Sequence, residues 1–138
     1  MIRILACQQG VGGIDTWGAR PEKQFLLTVS PIRHLGDGAH LNTISKSTLH
    51  LAVEHILSSF VGSTGESPRA FYFPAYEILM DELRDYRFYA DDLVHPAASA
   101  VQILWERFLD ACTDPADRER ILAAERASRA SAHINKYV

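Results

Sequence analysis

The sequence predicts an α/β fold, a short parallel sheet flanked by helices. Three observations predict it. Two short apolar runs, at 25–29 and 70–73, have the length and composition of strands buried on both faces. Between and after them, apolar residues recur at spacings of three and four, which places them on single helical faces. The connecting loops are short. Strand, helix, strand, helix therefore reads as a βαβα unit with a parallel sheet and right-handed crossovers. A sheet of two or three such strands is thin for a layer normally covered on both sides, so the chain reads as part of a larger layer.

Residues 1–24 form the least regular stretch. Ile2 to Ala6 has the make-up of a short buried strand. Gln8, Gln9, Gly10, Gly12 and Gly13 follow at once, and Gly18 and Pro21 break the pattern again, so the segment reads as mostly irregular. Phe25-Leu26-Leu27-Thr28-Val29 is the first clear strand, ended by Ser30-Pro31 because Pro31 has no N–H for a ladder. A polar loop with Arg33, His34, Gly36, Asp37 and Gly38 follows. Asn42 is then a suitable N-cap, and Leu49, Ala52, Val53, Ile56, Leu57 and Phe60 make the buried face of a helix. Residues 62–68 form its exit loop, and Ala70-Phe71-Tyr72-Phe73 the next strand, stopped by Pro74. The stretch 76–80 fits either a continued strand or a helical turn. Pro96 suits a first helical position, which needs no N–H, and Val101, Leu104, Trp105, Phe108, Leu109 and Cys112 form the stripe of the helix after it. Asp114-Pro115 opens a last helix rich in alanine and arginine, with a thin apolar face, expected to be exposed or packed on a partner.

Composition narrows the class of protein. Of 138 residues, 47% are apolar and 22% charged, enough for one modest globular domain. The net charge of −3 and the scattered basic residues argue against a nucleic-acid surface. No run approaches the roughly 20 apolar residues of a membrane span, and the N-terminus lacks the apolar core of a signal peptide. A cytoplasmic protein with no membrane partner is expected. Two cysteines, Cys7 and Cys112, make no disulfide framework.

The chemistry concentrates in Asp92-Leu93-Val94-His95-Pro96. An Asp three residues before a His on a turn lets both side chains enter one pocket. The carboxylate then fixes the imidazole tautomer and leaves the second nitrogen as a general base. The bland alternative is a helix-entry Asp and a surface His. His34, Asp37 and His40 are metal-ligand types at even spacing, but Gly36 and Gly38 loosen the loop and no fourth ligand is evident, so no metal is expected. No cofactor is expected either. Arg84, Asp85, Tyr86 and Arg87 read as an ion-pair and packing network rather than a substrate wall. His50, His55 and His133 read as surface or edge residues.

Two blocks carry a resemblance. One is Leu27-Thr28-Val29-Ser30-Pro31-Ile32-Arg33-His34, with Asp37-Gly38, Asn42 and Ser45-Lys46. The other runs from Tyr72-Phe73-Pro74-Ala75-Tyr76-Glu77-Ile78 through Asp81–Tyr89 to Asp92–Pro96. In order and spacing they resemble the GSCFA family over roughly residues 25–108. That family is similar to SGNH hydrolases, so the resemblance implies a partial three-layer α/β/α domain and hydrolysis or transfer of an ester or acyl group by an activated serine. It implies the acid–base pair at Asp92 and His95, and a pocket bordered by Ser30, Arg33, His34, Asp37 and Asn42. Arg33, His34 and Asp37 would there meet a polar or anionic substrate group.

One departure matters as much. No Gly-Ser-Cys-Phe-Ala motif occurs, and residues 1–24 contain no serine at all. Cys7 is a poor substitute thiol, with only Arg3 near it to lower its pKa. The organisation expected is an irregular segment 1–24, the C-terminal half of a GSCFA/SGNH-like domain over 25–112, and a helix and tail over 113–138. Alone, such a chain is expected to be inactive. Its partners would be a small-molecule, glycan or acyl ester substrate once completed, and either an N-terminal half or further copies of itself. The competing expectation is a non-catalytic module binding a ligand or partner through the same loops.

Overall fold

The structure is a computed structural model that describes residues 2–7, 24–60 and 69–134. It divides into two compact units, Met1–Ala100 and Val101–Val138. The first carries β1 (Ile2–Cys7), β2 (Gln24–Val29), α1 (Gly38–Ser59), β3 (Ala70–Tyr72) and α2 (Ala75–Glu77). α2 runs directly into a π-helical turn, Ile78–Leu83, and a 3-10 turn follows at Tyr86–Phe88. α3 (Ala98–Cys112) begins in this unit and continues into the second, which also holds α4 (Pro115–Ile134).

The parallel pair predicted from sequence is β2 and β3, in register Phe25 with Ala70, Leu26 with Phe71 and Leu27 with Tyr72. α1 is the crossover between them. A third strand exists: β1 lies on the other side of β2 and runs antiparallel, so the sheet is mixed, in the order β1-β2-β3. The start of the segment read as irregular is thus a strand, while residues 8–23 lie outside those described. An antiparallel neighbour needs no helical crossover, and mixed sheets of this kind are common.

Alternation along β2 sets the core. Phe25, Leu27 and Val29 are buried, whereas Leu26 and Thr28 are only partly covered. Leu27, Val29 and Val53 of α1 form one cluster, with Leu49, Ile56, Leu57, Tyr72 and Tyr76 packed around it. Complete burial of Leu27 contributes roughly 1.5–3 kcal/mol of transfer free energy. Leu79, Tyr89 and Ala100 form a second cluster, with Met80, Leu83 and Phe88 against it.

Helix boundaries depart from expectation in two places. α1 starts four residues before Asn42, with Asp37 at its N-cap and Gly38 at φ +84°, a left-handed value that glycine adopts without penalty. Asn42 is therefore inside the helix. α3 starts at Ala98, so Pro96 is not its first residue. Pro96 instead faces Tyr89 across an isolated antiparallel bridge. The bonds of that bridge run from Ala90 N–H to the His95 carbonyl (2.8 Å) and from Ala97 N–H to the Phe88 carbonyl (2.8 Å). Position 96 is one whose N–H the ladder does not use, and proline fits there.

The ambiguous stretch at 76–80 is helical. The Arg84 N–H reaches the Leu79 carbonyl (3.1 Å), the wide closure of a π turn, and Arg84 ends it at φ +49°. In the charged-aromatic block that follows, Asp85 caps the 3-10 turn through the Arg87 N–H (3.0 Å). The Arg87 guanidinium pairs with Asp85 (3.7 Å) and lies over Phe88.

In the second unit α4 opens at Asp114-Pro115 as predicted, with Asp114 accepting the Asp117 N–H (2.8 Å) and Pro115 at the first position. Trp105 stacks on Phe108 with centroids 5.4 Å apart and donates from Nε1 to Glu125 (2.6 Å), tying α3 to α4. Ion pairs Asp110–Arg118, Asp117–Arg120 and Glu125–Arg129 line the mostly exposed surface. Among the described residues no helix is long and apolar enough to cross a membrane.

Candidate functional site

The loop from Tyr89 to Pro96 is closed at its base by the bridge just described. Inside it the Leu93 N–H donates to the Ala90 carbonyl (2.9 Å), making a tight turn, and Leu93 takes φ +56°. Such a value is unusual for a branched side chain. The turn folds Asp92 back on the next residues. Asp92 Oδ1 accepts the N–H groups of Val94 and His95, both at 2.9 Å. Its other oxygen, Oδ2, lies 2.7 Å from Nδ1 of His95.

The carboxylate–imidazole contact expected of Asp92 and His95 is therefore formed. The carboxyl of Asp92 is held down to about 2. The His95 N–H contributes most, then the His95 ring and the Val94 N–H, against a small opposing effect of burial. An ionised carboxylate can only accept, so Nδ1 carries the proton and, in the neutral ring, Nε2 keeps the lone pair. No described residue bonds Nε2. The side chains are 60% and 49% exposed for His95 and Asp92, so the imidazole faces open solvent.

The residues expected to border a pocket lie between the end of β2 and the first turns of α1 but play different parts. Ser30 ends β2, and its Oγ accepts the Ile32 N–H (3.3 Å) within the loop's own turn. Arg33 turns toward the Asp92–His95 loop, with its N–H on the Val94 carbonyl (3.2 Å) and Nη1 3.4 Å from the Leu93 carbonyl. Asn42 accepts the His34 N–H (2.8 Å), fastening the loop to α1. The His34 side chain is exposed, as are Asp37 and His40. Among the described residues, no three of His, Cys, Asp and Glu converge as metal ligands do.

Sequence reasoning missed two features here. Lys46 is buried at 2% exposure, and its Nζ donates to the Ser30 carbonyl (2.5 Å) 5.8 Å from the Tyr76 ring centroid. Burial pushes its pKa down. The signal was present, because 46, 49, 53, 56 continues the apolar stripe of α1 backwards and puts a lysine on its buried face. The second is a polar cluster joining α1, β3 and α2. The Tyr72 hydroxyl donates to the Glu77 carboxylate (2.8 and 2.9 Å), and His50 Nδ1 lies 3.4 Å from Glu77 with its ring edge-on to Tyr76. Burial first, then Glu77, drives the Tyr72 phenol well above its ordinary value. His50, read as a surface or edge residue, is thus partly buried in this cluster. The groove lined by Leu109, Asp110, Arg118, Leu122 and Arg126 belongs to the second unit and holds neither Asp92 nor His95.

Compared with known families, residues 15–108 match the model of the GSCFA family, well over half of the chain. No curated protein and no solved structure matches it.

Proposed function

Because the chain belongs to the GSCFA family, we propose that Asp92 and His95 are the acid–base half of an SGNH-like ester or acyl hydrolase whose serine nucleophile lies on another polypeptide segment. The observation that carries the reading is the 2.7 Å bond between Asp92 and His95 Nδ1, which leaves Nε2 open to solvent. In the reaction, Nε2 takes the proton of an approaching serine hydroxyl as its oxygen attacks the ester carbon. Asp92 stabilises the imidazolium that forms. The imidazolium then protonates the departing alcohol, and water repeats the cycle on the acyl-enzyme. The substrate class is an ester or acyl group on a small molecule or glycan.

No Gly-Ser-Cys-Phe-Ala motif occurs in this sequence, and Ser30 Oγ is engaged in its own loop turn. The chain alone is therefore expected to hydrolyse nothing. The test is complementation. A separately expressed N-terminal half carrying the Gly-Ser-Cys-Phe-Ala motif is added, and hydrolysis of a p-nitrophenyl acyl ester is followed. Turnover should appear only with both parts present and vanish with His95→Ala. Labelling of this chain alone by a serine-directed fluorophosphonate would contradict the reading.

A second reading, a non-catalytic module binding a ligand or partner, is favoured by one observation: the pair is open to solvent rather than walled in. It expects His95→Ala to leave folding and ligand-induced stabilisation intact.

A further inference from the structure

The exit of β2 is fastened at three points. Lys46 grips the Ser30 carbonyl from α1, and Asn42 grips the His34 N–H from the same helix. Between these anchors Arg33 points the other way. Its backbone N–H donates to the Val94 carbonyl and its guanidinium donates to the Leu93 carbonyl. The guanidinium carbon also sits 4.1 Å from the ring centroid of buried Tyr89 and 6.0 Å from that of Tyr86. Leu93 and Val94 are the two residues that separate Asp92 from His95.

The turn's own bonds, from Asp92 to the Val94 and His95 N–H groups, are local and solvent-facing, and none of them ties it to the core. Leu93 is 45% exposed, so packing of its side chain does not impose its left-handed backbone. Asp92 and His95 are half-exposed or more. The Tyr89 ring is the rigid surface at the base of the loop, buried in the second core cluster, with its hydroxyl on Met80 sulfur (2.8 Å). A flat guanidinium lying on that ring, with one N–H on the Leu93 carbonyl, links the exposed turn to the core. A lysine would keep the charge and one donor but not the flat stack.

We infer that Arg33 is a positioning residue, holding the turn in the conformation that pairs Asp92 with His95 rather than meeting substrate. The inference rests on the acid–base reading for its bearing on catalysis, yet it concerns the geometry of this chain alone. Its failure is therefore separable from failure of complementation. A residue of this kind acts through second-layer contacts, and loss of such support loosens a site without removing it.

The test is NMR on the full chain, wild type against Arg33→Gln and Arg33→Lys. Ring ¹⁵N shifts report the His95 tautomer, and side-chain ¹³C shifts report the Asp92 titration. Wild type should hold the Nδ1–H tautomer, with Asp92 titrating near 2. Arg33→Gln should return His95 to a mixture of tautomers and raise the Asp92 midpoint by about one unit. Arg33→Lys should fall between, since the ring contact rather than the charge is what it loses. A purely structural role would lower the melting temperature and leave both signatures unchanged, and that result would overturn the inference. If Arg33→Gln does not fold, Arg33→Lys decides. Wild-type tautomer and titration in that variant would overturn it equally.

Discussion

Asp92 shows how much a single carboxylate gains from the backbone around it. Two N–H groups and an imidazole converge on it, and its pKa lies near 2 instead of 3.8. A depressed folded value means stabilisation that is present above the unfolded pKa and disappears as pH falls from about 4 toward 2. Denaturant unfolding of wild type and Asp92→Asn should thus differ at pH 6 and converge by pH 2. The gap is kept small by solvent screening. A constant gap across that range would mean the carboxylate's charge is not what matters. Leu93 makes the complementary case. Its φ of +56° carries a steric penalty on the order of 1 kcal/mol, which glycine avoids at some cost in unfolded-state entropy. Leu93→Gly should be neutral or stabilising by about 0.5 kcal/mol, and Leu93→Val destabilising by about 1 kcal/mol, β-branching being worst in that region. Equal losses from both would show that the side chain, not the backbone, sets the stability there.

The sheet and helix α1 meet most tightly where β2 ends, and Lys46 is the joint. Truncation in Lys46→Ala removes its buried stem and leaves the Ser30 carbonyl without its donor, for a loss of about 2 kcal/mol in chemical denaturation. Lys46→Met keeps the stem and should lose less. The two should also differ from wild type in pH dependence. Burial lowers the Lys46 pKa below 10.5, so the folded state releases its proton first, and wild-type stability should rise as pH climbs toward 10.5. A wild-type curve parallel to that of Lys46→Met above pH 9 would contradict this. What was legible in sequence follows from the same contacts. The β2 run, the α1 stripe from Leu49 to Phe60, the β2–β3 pairing and the Asp114-Pro115 start of α4 are local patterns, read from period and turn residues. The Asp92–His95 pair was legible because its contact spans only three residues. Arg33 reaching Leu93, and His50 meeting Glu77, join positions far apart in the chain, and no local period announces them. Asn42 misled because its side-chain oxygen, which suits a cap, is used on His34 instead.

Among the described residues of the first unit, one face of the sheet carries exposed apolar surface, and this bears on the proposed partner. Leu27 and Val29 point toward α1 and are fully buried. On the opposite face Leu26 is partly covered and its neighbour Phe71 is 39% exposed. β3, only three residues long, pairs with β2 on one side alone in the sheet order. Parallel strands are ordinarily covered on both faces, and an apolar residue on an open face favours association. On the proposed reading the occupant is the segment carrying the Gly-Ser-Cys-Phe-Ala motif, which would bring the serine to the Asp92–His95 pair. At a concentration of one hundred times its dissociation constant, such a partner would stabilise the chain by about 2.7 kcal/mol. That corresponds to roughly 6–10 °C in melting temperature for a domain of this size. Phe71→Asp, placed on the open face, should leave the chain folded by circular dichroism while abolishing most of the shift. Without the partner, the same face should drive the wild-type chain into dimers or larger species at tens of micromolar in sedimentation, and Phe71→Asp should reduce them. If the wild type sediments as a clean monomer and gains no stability from the N-terminal half, the open face serves neither purpose and the complementation reading loses its structural basis.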